Sequence, residues 1–120
     1  MNGNENGENG KLGELIISEE VIASIALNAA RDVEGVAGFS QKPADIISAF
    51  KRHETNKNVS ILFGDSDVKI TIYIVVKPGY NIQNVANDVQ KAIKSLVQNM
   101  TGKIVSKVNV TIAGLESAKQ

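Results

Sequence analysis

The chain has 120 residues, which is the size of one domain and leaves little room for a second. Thirteen Lys and Arg residues balance thirteen Asp and Glu residues, and this neutrality argues against a general attraction to nucleic acid or membrane surfaces. The absence of cysteine excludes disulfides and thiolate metal sites. No apolar run approaches the roughly 18–20 residues of a membrane span, and the N-terminus lacks a signal-peptide pattern. We therefore expect a cytoplasmic protein.

The first segment, residues 1–11, is rich in Asn, Gly and Glu and has no apolar residue after Met1. Ordering a chain costs about 1–2 kcal/mol per residue, and this segment has no apolar surface to bury in exchange, so we predict a disordered acidic tail. Residues 1–20 contain five Glu and one Lys, a net charge of −4, and the neutral total leaves +4 on the remainder. A single domain is expected over residues 12–114, followed by a flexible tail over residues 115–120.

An apolar segment and a helix follow the tail. Leu15 and Ile17 fall on one face of residues 12–17, which predicts a short first strand. Ser18 is a favoured helix N-cap, and the two glutamates after it suit the positive end of the helix dipole. Gly35 is the expected stop. The predicted apolar stripe of this helix consists of Val21, Ile22, Ile25, Ala29 and Val33.

The middle of the chain is less regular. Residues 36–39 predict a short strand or an extended segment leading back to the sheet. Pro43 suits the first turn of a short helix over residues 44–52, although the pattern does not decide whether that helix forms. Apolar alternation over residues 59–63, followed by Gly64-Asp65-Ser66, predicts a β-hairpin with a loop of about three to four residues.

The strongest strand pattern lies in residues 67–77. Five β-branched aliphatic residues on one face alternate there with Lys69, Thr71, Tyr73, Val75 and Lys77 on the other, which indicates the centre of a sheet rather than its edge. The aliphatic set, expected to point into the core, is Val68, Ile70, Ile72, Ile74 and Val76.

A second helix and a last strand complete the pattern. Asn81 is the expected N-cap and Gly102 the expected end of the helix, and a strand is predicted over residues 104–113. The helix stripe consists of Ile82, Val85, Val89, Ile93, Leu96, Val97 and Met100.

The resulting element order is β-α-β-(short α)-β-β-α-β. Two amphipathic helices can cover one face of such a sheet, so the predicted fold class is α+β, a two-layer α/β sandwich with a mixed sheet. The strands before and after the second helix should run parallel, joined by a right-handed crossover.

The sequence contains no pattern typical of a catalytic site. His53 is the single histidine and lies in a polar segment, whereas a triad or a histidine metal site needs converging partners. The acidic pairs Glu19/Glu20 and Asp65/Asp67 are explained by a helix N-terminus and a turn. The glycines form no phosphate-binding loop. We therefore expect no catalytic residues, no cofactor and no metal.

One surface has a functional interpretation, namely the open face of the sheet, which is the face away from the helices. It combines lysines, one tyrosine and aliphatic side chains, and three interpretations stay open: a solvated surface, a protein-binding surface, or a platform for single-stranded RNA. The candidate partner-binding residues are Leu62, Lys69, Tyr73, Val75, Lys107 and Asn109, with Lys77 further along the same face.

Several motifs of the chain, taken in order, resemble the alkaline shock protein family of bacterial envelope stress proteins. The resemblance extends over roughly residues 12–114, and the acidic tail and residues 42–58 depart from it. The motifs are Ile17–Ile22, Ala29–Gly38, Tyr73–Val76, Gly79–Ile82, Val89-Gln90, Met100–Gly102 and Val108–Ile112.

This resemblance implies a small non-enzymatic cytoplasmic protein, found mainly in Gram-positive bacteria and linked to tolerance of alkaline or cell-envelope stress. It implies no cofactor and no catalytic residues. It also implies that the protein acts by association, either with itself or with a membrane-linked protein. The alternative hypothesis is a small nucleic-acid-binding module that uses the open face of the sheet.

Overall fold

A computed structural model of the protein describes residues 12–41 and 58–117. The predicted acidic tail, the short helix over residues 44–52 and His53 lie outside the described residues. The described elements are α1 (Glu19–Arg31), β1 (Val36–Phe39), β2 (Val59–Phe63), β3 (Asp67–Val76), α2 (Ile82–Thr101) and β4 (Ile104–Leu115).

The central strand of the sheet is β3, as its alternating pattern predicts. On one side it pairs antiparallel with β1 near its C-terminal end and with β2 nearer its N-terminal end. On the other side it pairs with β4 along its whole length, and these two strands run parallel. The predicted mixed sheet and the predicted parallel pair are therefore confirmed.

The strands β1 and β2 form one interrupted row along β3, and the interruption lies beside Tyr73. Its carbonyl accepts a hydrogen bond from the Ser40 amide at 3.0 Å, and its amide donates to the Asn58 carbonyl at 3.2 Å. The Asn58 side chain donates to the Ser40 carbonyl at 2.8 Å and joins the two ends. The chain thus leaves the row after β1 and returns to it at the same position of the ladder.

The core lies between the helices and one face of the sheet. The five inward aliphatic residues of β3 are all buried, as predicted, together with Val85, Val89, Ile93 and Val97 of α2. From α1 come two isoleucines and four alanines. This arrangement confirms the two-layer α/β sandwich, and it leaves the odd-numbered residues of β3 on the opposite face of the sheet.

Local signals in the sequence account for the helix ends. The Ser18 hydroxyl accepts a hydrogen bond from the Val21 amide at 3.3 Å, and the Asn81 side chain accepts one from the Asn84 amide at 2.9 Å. Both N-caps are as predicted. Gly102 ends α2 in the left-handed conformation, with φ of 74°, where a residue with a Cβ is disfavoured.

The predicted first strand is wrong. Residues 12–17 form no strand in the structure, and Leu12, Leu15 and Ile16 are exposed. Both sides of β3 are already occupied by other strands, so this segment has no position beside the central strand. The observed order of the described elements is therefore α-β-β-β-α-β.

Smaller differences concern which side chains the helices bury. Val21 belongs to the predicted stripe of α1 but is exposed, because α1 packs through a face that includes the small residues Ala23, Ala26 and Ala30. Ile82 and Met100 belong to the predicted stripe of α2 and are exposed near its two ends. The helix α1 also ends at Arg31 rather than continuing to Gly35. The last strand extends to Leu115, two residues beyond its predicted end.

Candidate functional site: the open face of the sheet

The structure brings the predicted partner-binding residues to one surface. Side chains of successive strand residues alternate between faces, and the residues of β3 that flank the buried isoleucines point away from the helices. Register then places residues of β2 and β4 beside them, since paired residues point to the same side of a sheet. The candidate residues Leu62, Lys69, Tyr73, Val75, Lys107 and Asn109 all belong to this open face.

The first row of the open face is Leu62, Lys69 and Lys107. Lys69 is the register partner of Leu62 in β2 and of Lys107 in β4. Leu62 is 63% exposed. Two lysines side by side repel one another weakly, so this row combines an apolar side chain with positive charge that an acidic partner would neutralise.

The next row is polar. Thr71 is paired with Asn109, whose side-chain amide donates to the Thr71 hydroxyl at 3.4 Å. Both side chains retain further hydrogen-bonding groups that face outward. This row is suited to directional contacts with a partner backbone or side chain.

Tyr73 and Val75 form the apolar half of the open face. Both are half-buried, and their register partners in β4 are Thr111 and Gly114. The partner of Val75 in β1 is Gly38. Because neither glycine has a side chain, Val75 has no side-chain neighbour at its two register positions.

A groove of about 240 Å³ lies at the end of the sheet, and the sequence reasoning missed it. The β2–β3 turn and the α2–β4 connection form its two walls, which come together only in the folded chain. Asp67 accepts a hydrogen bond from the Ser106 hydroxyl, and the Lys103 ammonium lies 6.0 Å from the centre of the Phe63 ring. These contacts give both charged groups structural partners.

The acidic pairs do not gather into a cluster. Glu19 and Glu20 lie in the first turn of α1, and Asp65 and Asp67 lie around the β2–β3 turn. Within residues 12–41 and 58–117, no group of three or more His, Cys, Asp or Glu side chains is arranged to hold a metal ion.

Among the described residues, Tyr80 has a pKa that is clearly shifted, and this residue lies outside the open face. The Tyr80 hydroxyl donates to Glu34 Oε2 at 3.3 Å, joining the start of α2 to the turn before β1. The negative charge of Glu34 raises the pKa of Tyr80, and loss of hydration and the hydrogen bond act in the same direction. This pair links two loops and is not part of the candidate site.

Solved structures with a similar fold include the copper form of the MamM CTD. The two chains are 17% identical with a TM-score of 0.51, and the match covers 85% of this chain and 91% of that one. At this level of identity the likeness concerns the fold alone. No helix in the described parts of the chain has the length and apolarity required to cross a bilayer.

Two curated relatives come from Bacillus subtilis. The uncharacterized protein YqhY is 34% identical over 91% of this chain and 82% of its own length. The uncharacterized protein YloU is 31% identical over 88% of this chain and 90% of its own length. The model of the alkaline shock protein (ASP23) family, which has a cell envelope-related function, matches residues 7–117. The chain therefore belongs to the ASP23 family.

Proposed function

We propose that the protein is a non-enzymatic, cytoplasmic component of the response to cell-envelope or alkaline stress, and that it acts by binding other proteins through the open face of its sheet. The family supports the envelope link. The observation that carries the binding surface is the row of Leu62, Lys69 and Lys107, which offers an exposed apolar side chain beside two positive charges. Its partner is a membrane-linked protein or a further copy of the chain.

The composition of the open face suits a protein partner. Protein interfaces combine an apolar or aromatic centre with a polar rim, and tyrosine is enriched in their centres. Here Tyr73 and Val75 supply the apolar centre, while Thr71 and Asn109 supply hydrogen-bonding groups beside it. A partner with acidic residues around an apolar patch would match both halves of the surface.

The test uses charge reversal at matched positions. The double variant Lys69→Glu and Lys107→Glu inverts the charge of the open face, whereas Lys91→Glu and Lys94→Glu makes the same charge change on the exposed side of α2. Retention of each variant on the membrane fraction of the source cell is measured by co-sedimentation. Membranes treated with protease serve as the control for a protein receptor.

We expect the open-face variant to lose retention, the α2 variant to keep it, and protease treatment to remove it for the unmodified chain. Equal retention of both variants would contradict the open face as the binding surface. Retention that survives protease treatment would contradict a protein partner.

A second candidate function is single-stranded RNA binding, favoured by the adjacency of Lys69 and Lys107 on the face that also carries Tyr73. Such modules stack bases on aromatic side chains and follow the phosphates with basic ones. Each neutralised phosphate contributes about −0.7 to the slope of log affinity against log salt on single strands. Fluorescence anisotropy with a labelled oligonucleotide at low salt tests it, and undetectable binding would eliminate it.

A further inference from the structure

The outer edge of β4 is a long backbone edge with no strand beside it among residues 12–41 and 58–117. The strand has twelve residues, contains no proline and has Lys107 as its only charged residue. Proteins usually protect an exposed edge with prolines, charges or bulges. In β4 the register irregularities lie at the two ends, beside Ser106 and Ala113, and residues 107–112 between them form a regular edge.

Hydrogen bonding fixes which backbone groups of β4 point outward. The amide and carbonyl of one strand residue point to the same side, and this direction alternates along a strand. Tyr73 directs both groups to the β1–β2 row, so Ile72 and Ile74 direct theirs to β4. In the parallel register these residues bond to the odd-numbered residues of β4. The amides and carbonyls of Val108, Val110 and Ile112 therefore point away from β3.

A contact from α2 agrees with this assignment. The Gln90 side-chain amide donates to the Val108 carbonyl at 3.2 Å, which places that oxygen on the outer side of the ladder. A carbonyl oxygen has two lone pairs and accepts a second donor. The outward amides and carbonyls of Val108, Val110 and Ile112 can thus form hydrogen bonds with another strand.

The side chains of this edge are incompletely covered on the helix side of the sheet. Val108, Val110 and Ile112 are half-buried, whereas their register partners Ile70, Ile72 and Ile74 in β3 are fully buried. The difference arises because β4 has a neighbouring strand on one side only. A strand added at the outer edge would cover the remaining apolar surface.

The edge is complementary to itself in one antiparallel register. When two copies of β4 are centred on Val110, Val110 faces Val110, and Val108 faces Ile112 of the second copy. On the open face Asn109 faces Thr111 of the second copy. Apolar groups thus meet apolar groups, and polar meet polar, which is the pattern that stabilises cross-strand pairs.

Backbone groups and charges agree with this register. The three outward residues of each copy form the closely spaced hydrogen-bonded pairs of an antiparallel ladder. Lys107 faces the position of Ala113 in the second copy, so the two lysines lie about six residue steps apart, roughly 20 Å. The neutral chain adds no net repulsion between copies.

We propose that the protein forms a homodimer in which two β4 strands pair antiparallel around Val110. The dimer goes beyond the proposed function, because the second copy binds at the β4 edge and the open face stays available to other proteins. Pairing joins the two sheets into one, so that a dimer presents two open faces side by side. A contact between two strand edges buries less surface than a standard interface, which buries about 1,200–2,000 Å². We therefore expect a dimer that dissociates on dilution.

Sedimentation velocity of the full chain over a range of concentrations tests the dimer. In the variant Val110→Pro the partner-facing amide is lost while the β3–β4 ladder keeps its donors, and a proline is tolerated on an edge in this orientation. Each copy of the variant loses the hydrogen bond that its Val110 amide would donate, so the dimer loses two. We therefore expect its dissociation constant to rise by about tenfold or more. Tyr73→Asp, which changes the open face alone, is expected to dimerise like the unmodified chain.

A chain that stays monomeric at all concentrations would overturn the proposal. Dimerisation lost in Tyr73→Asp but kept in Val110→Pro would also overturn it and would assign self-association to the open face. Retention on membranes is measured for the same variants. A monomeric chain that still binds membranes would refute the dimer and leave the proposed function standing.

Hydrogen exchange of the unmodified chain gives the same answer without a substitution, in case Val110→Pro fails to fold. We expect the amides of residues 108, 110 and 112 to gain protection as concentration rises, whereas those of residues 109 and 111 are protected at every concentration. Protection of the even-numbered amides that does not change with concentration would contradict pairing at this edge.

Discussion

Gly35 lies directly against Val85, and the backbone there has no room for a side chain. A Cβ built on Gly35 would stand 2.7 Å from Val85 Cγ2 and 2.9 Å from Tyr80 Cδ2. The residue also has φ of 99°, in the region where glycine is favoured. Its carbonyl accepts a hydrogen bond from the Lys77 amide at 2.8 Å, so the turn is tied to the end of β3.

The first prediction follows from this contact. Gly35→Ala introduces backbone strain and a clash, and we expect it to lower the free energy of unfolding by about 2–4 kcal/mol. Urea denaturation followed by circular dichroism measures the loss. Gly38→Ala is the control, because nothing lies within 4 Å of a Cβ at that position. Equal stability of the two variants would show that the turn adjusts freely.

The second prediction contrasts neighbouring residues of β3. Ile72 is fully buried, and Ile72→Asp would bury an unpaired carboxylate at a cost of several kcal/mol, a large part of a typical total of 5–15. We expect the domain to unfold. Tyr73→Asp places the same side chain on the open face and should remain folded. Circular dichroism of both variants tests this, and a folded Ile72→Asp would contradict the orientation assigned to β3.

The third prediction concerns the N-cap of α2. The Asn81 side chain satisfies the Asn84 amide, so Asn81→Ala should lower the unfolding free energy by about 0.5–2 kcal/mol. Asn87 lies exposed on the same helix. Its replacement by Ala removes no cap and should be neutral or slightly stabilising, since Ala has the higher helix propensity. Thermal unfolding of the pair distinguishes capping from a general effect of removing Asn.

The fourth prediction concerns alkaline pH. Because the folded-state pKa of Tyr80 is raised above the unfolded value, the stabilisation it supplies is complete below about pH 10 and is lost as pH rises through the folded value. Glu34→Gln removes the negative charge and should lower this pKa. The chain has two tyrosines, so ultraviolet titration in a Tyr73→Phe background follows Tyr80 alone. An unchanged titration curve in Glu34→Gln would exclude Glu34 as the cause.

The central strand and the helix caps were predictable because their signals are local. Alternation over residues 67–76 identifies both faces of β3, and Ser18, Asn81 and Gly102 occupy positions that their own side chains or conformations favour. The membership of the open face followed from the same alternation. Alternation does not show which residues of two strands lie side by side. The adjacency of Lys69 and Lys107 therefore became visible only in the structure, where β3 and β4 are paired.

The wrong first strand has a similar origin. Residues 12–17 place Leu15 and Ile17 on one face, as a strand would, but a strand also needs a partner strand beside it, and this segment pairs with none of the described strands. The exposure of Val21 likewise reflects how α1 packs against its neighbours rather than its own periodicity. The contact between Gly35 and Val85 joins residues 50 positions apart, and no local pattern indicates it.

The junction beside Tyr73 has a consequence for engineering the chain. The Ser40 amide and the Asn58 carbonyl both bond to Tyr73, and the Asn58 side chain bonds to the Ser40 carbonyl. Ser40 and Asn58, where the chain leaves the ladder and returns to it, are thus held together directly, so we expect the ladder to tolerate a longer connection between them. We therefore expect that a reporter domain or an epitope tag can be inserted at this junction while β3 keeps its partner strands.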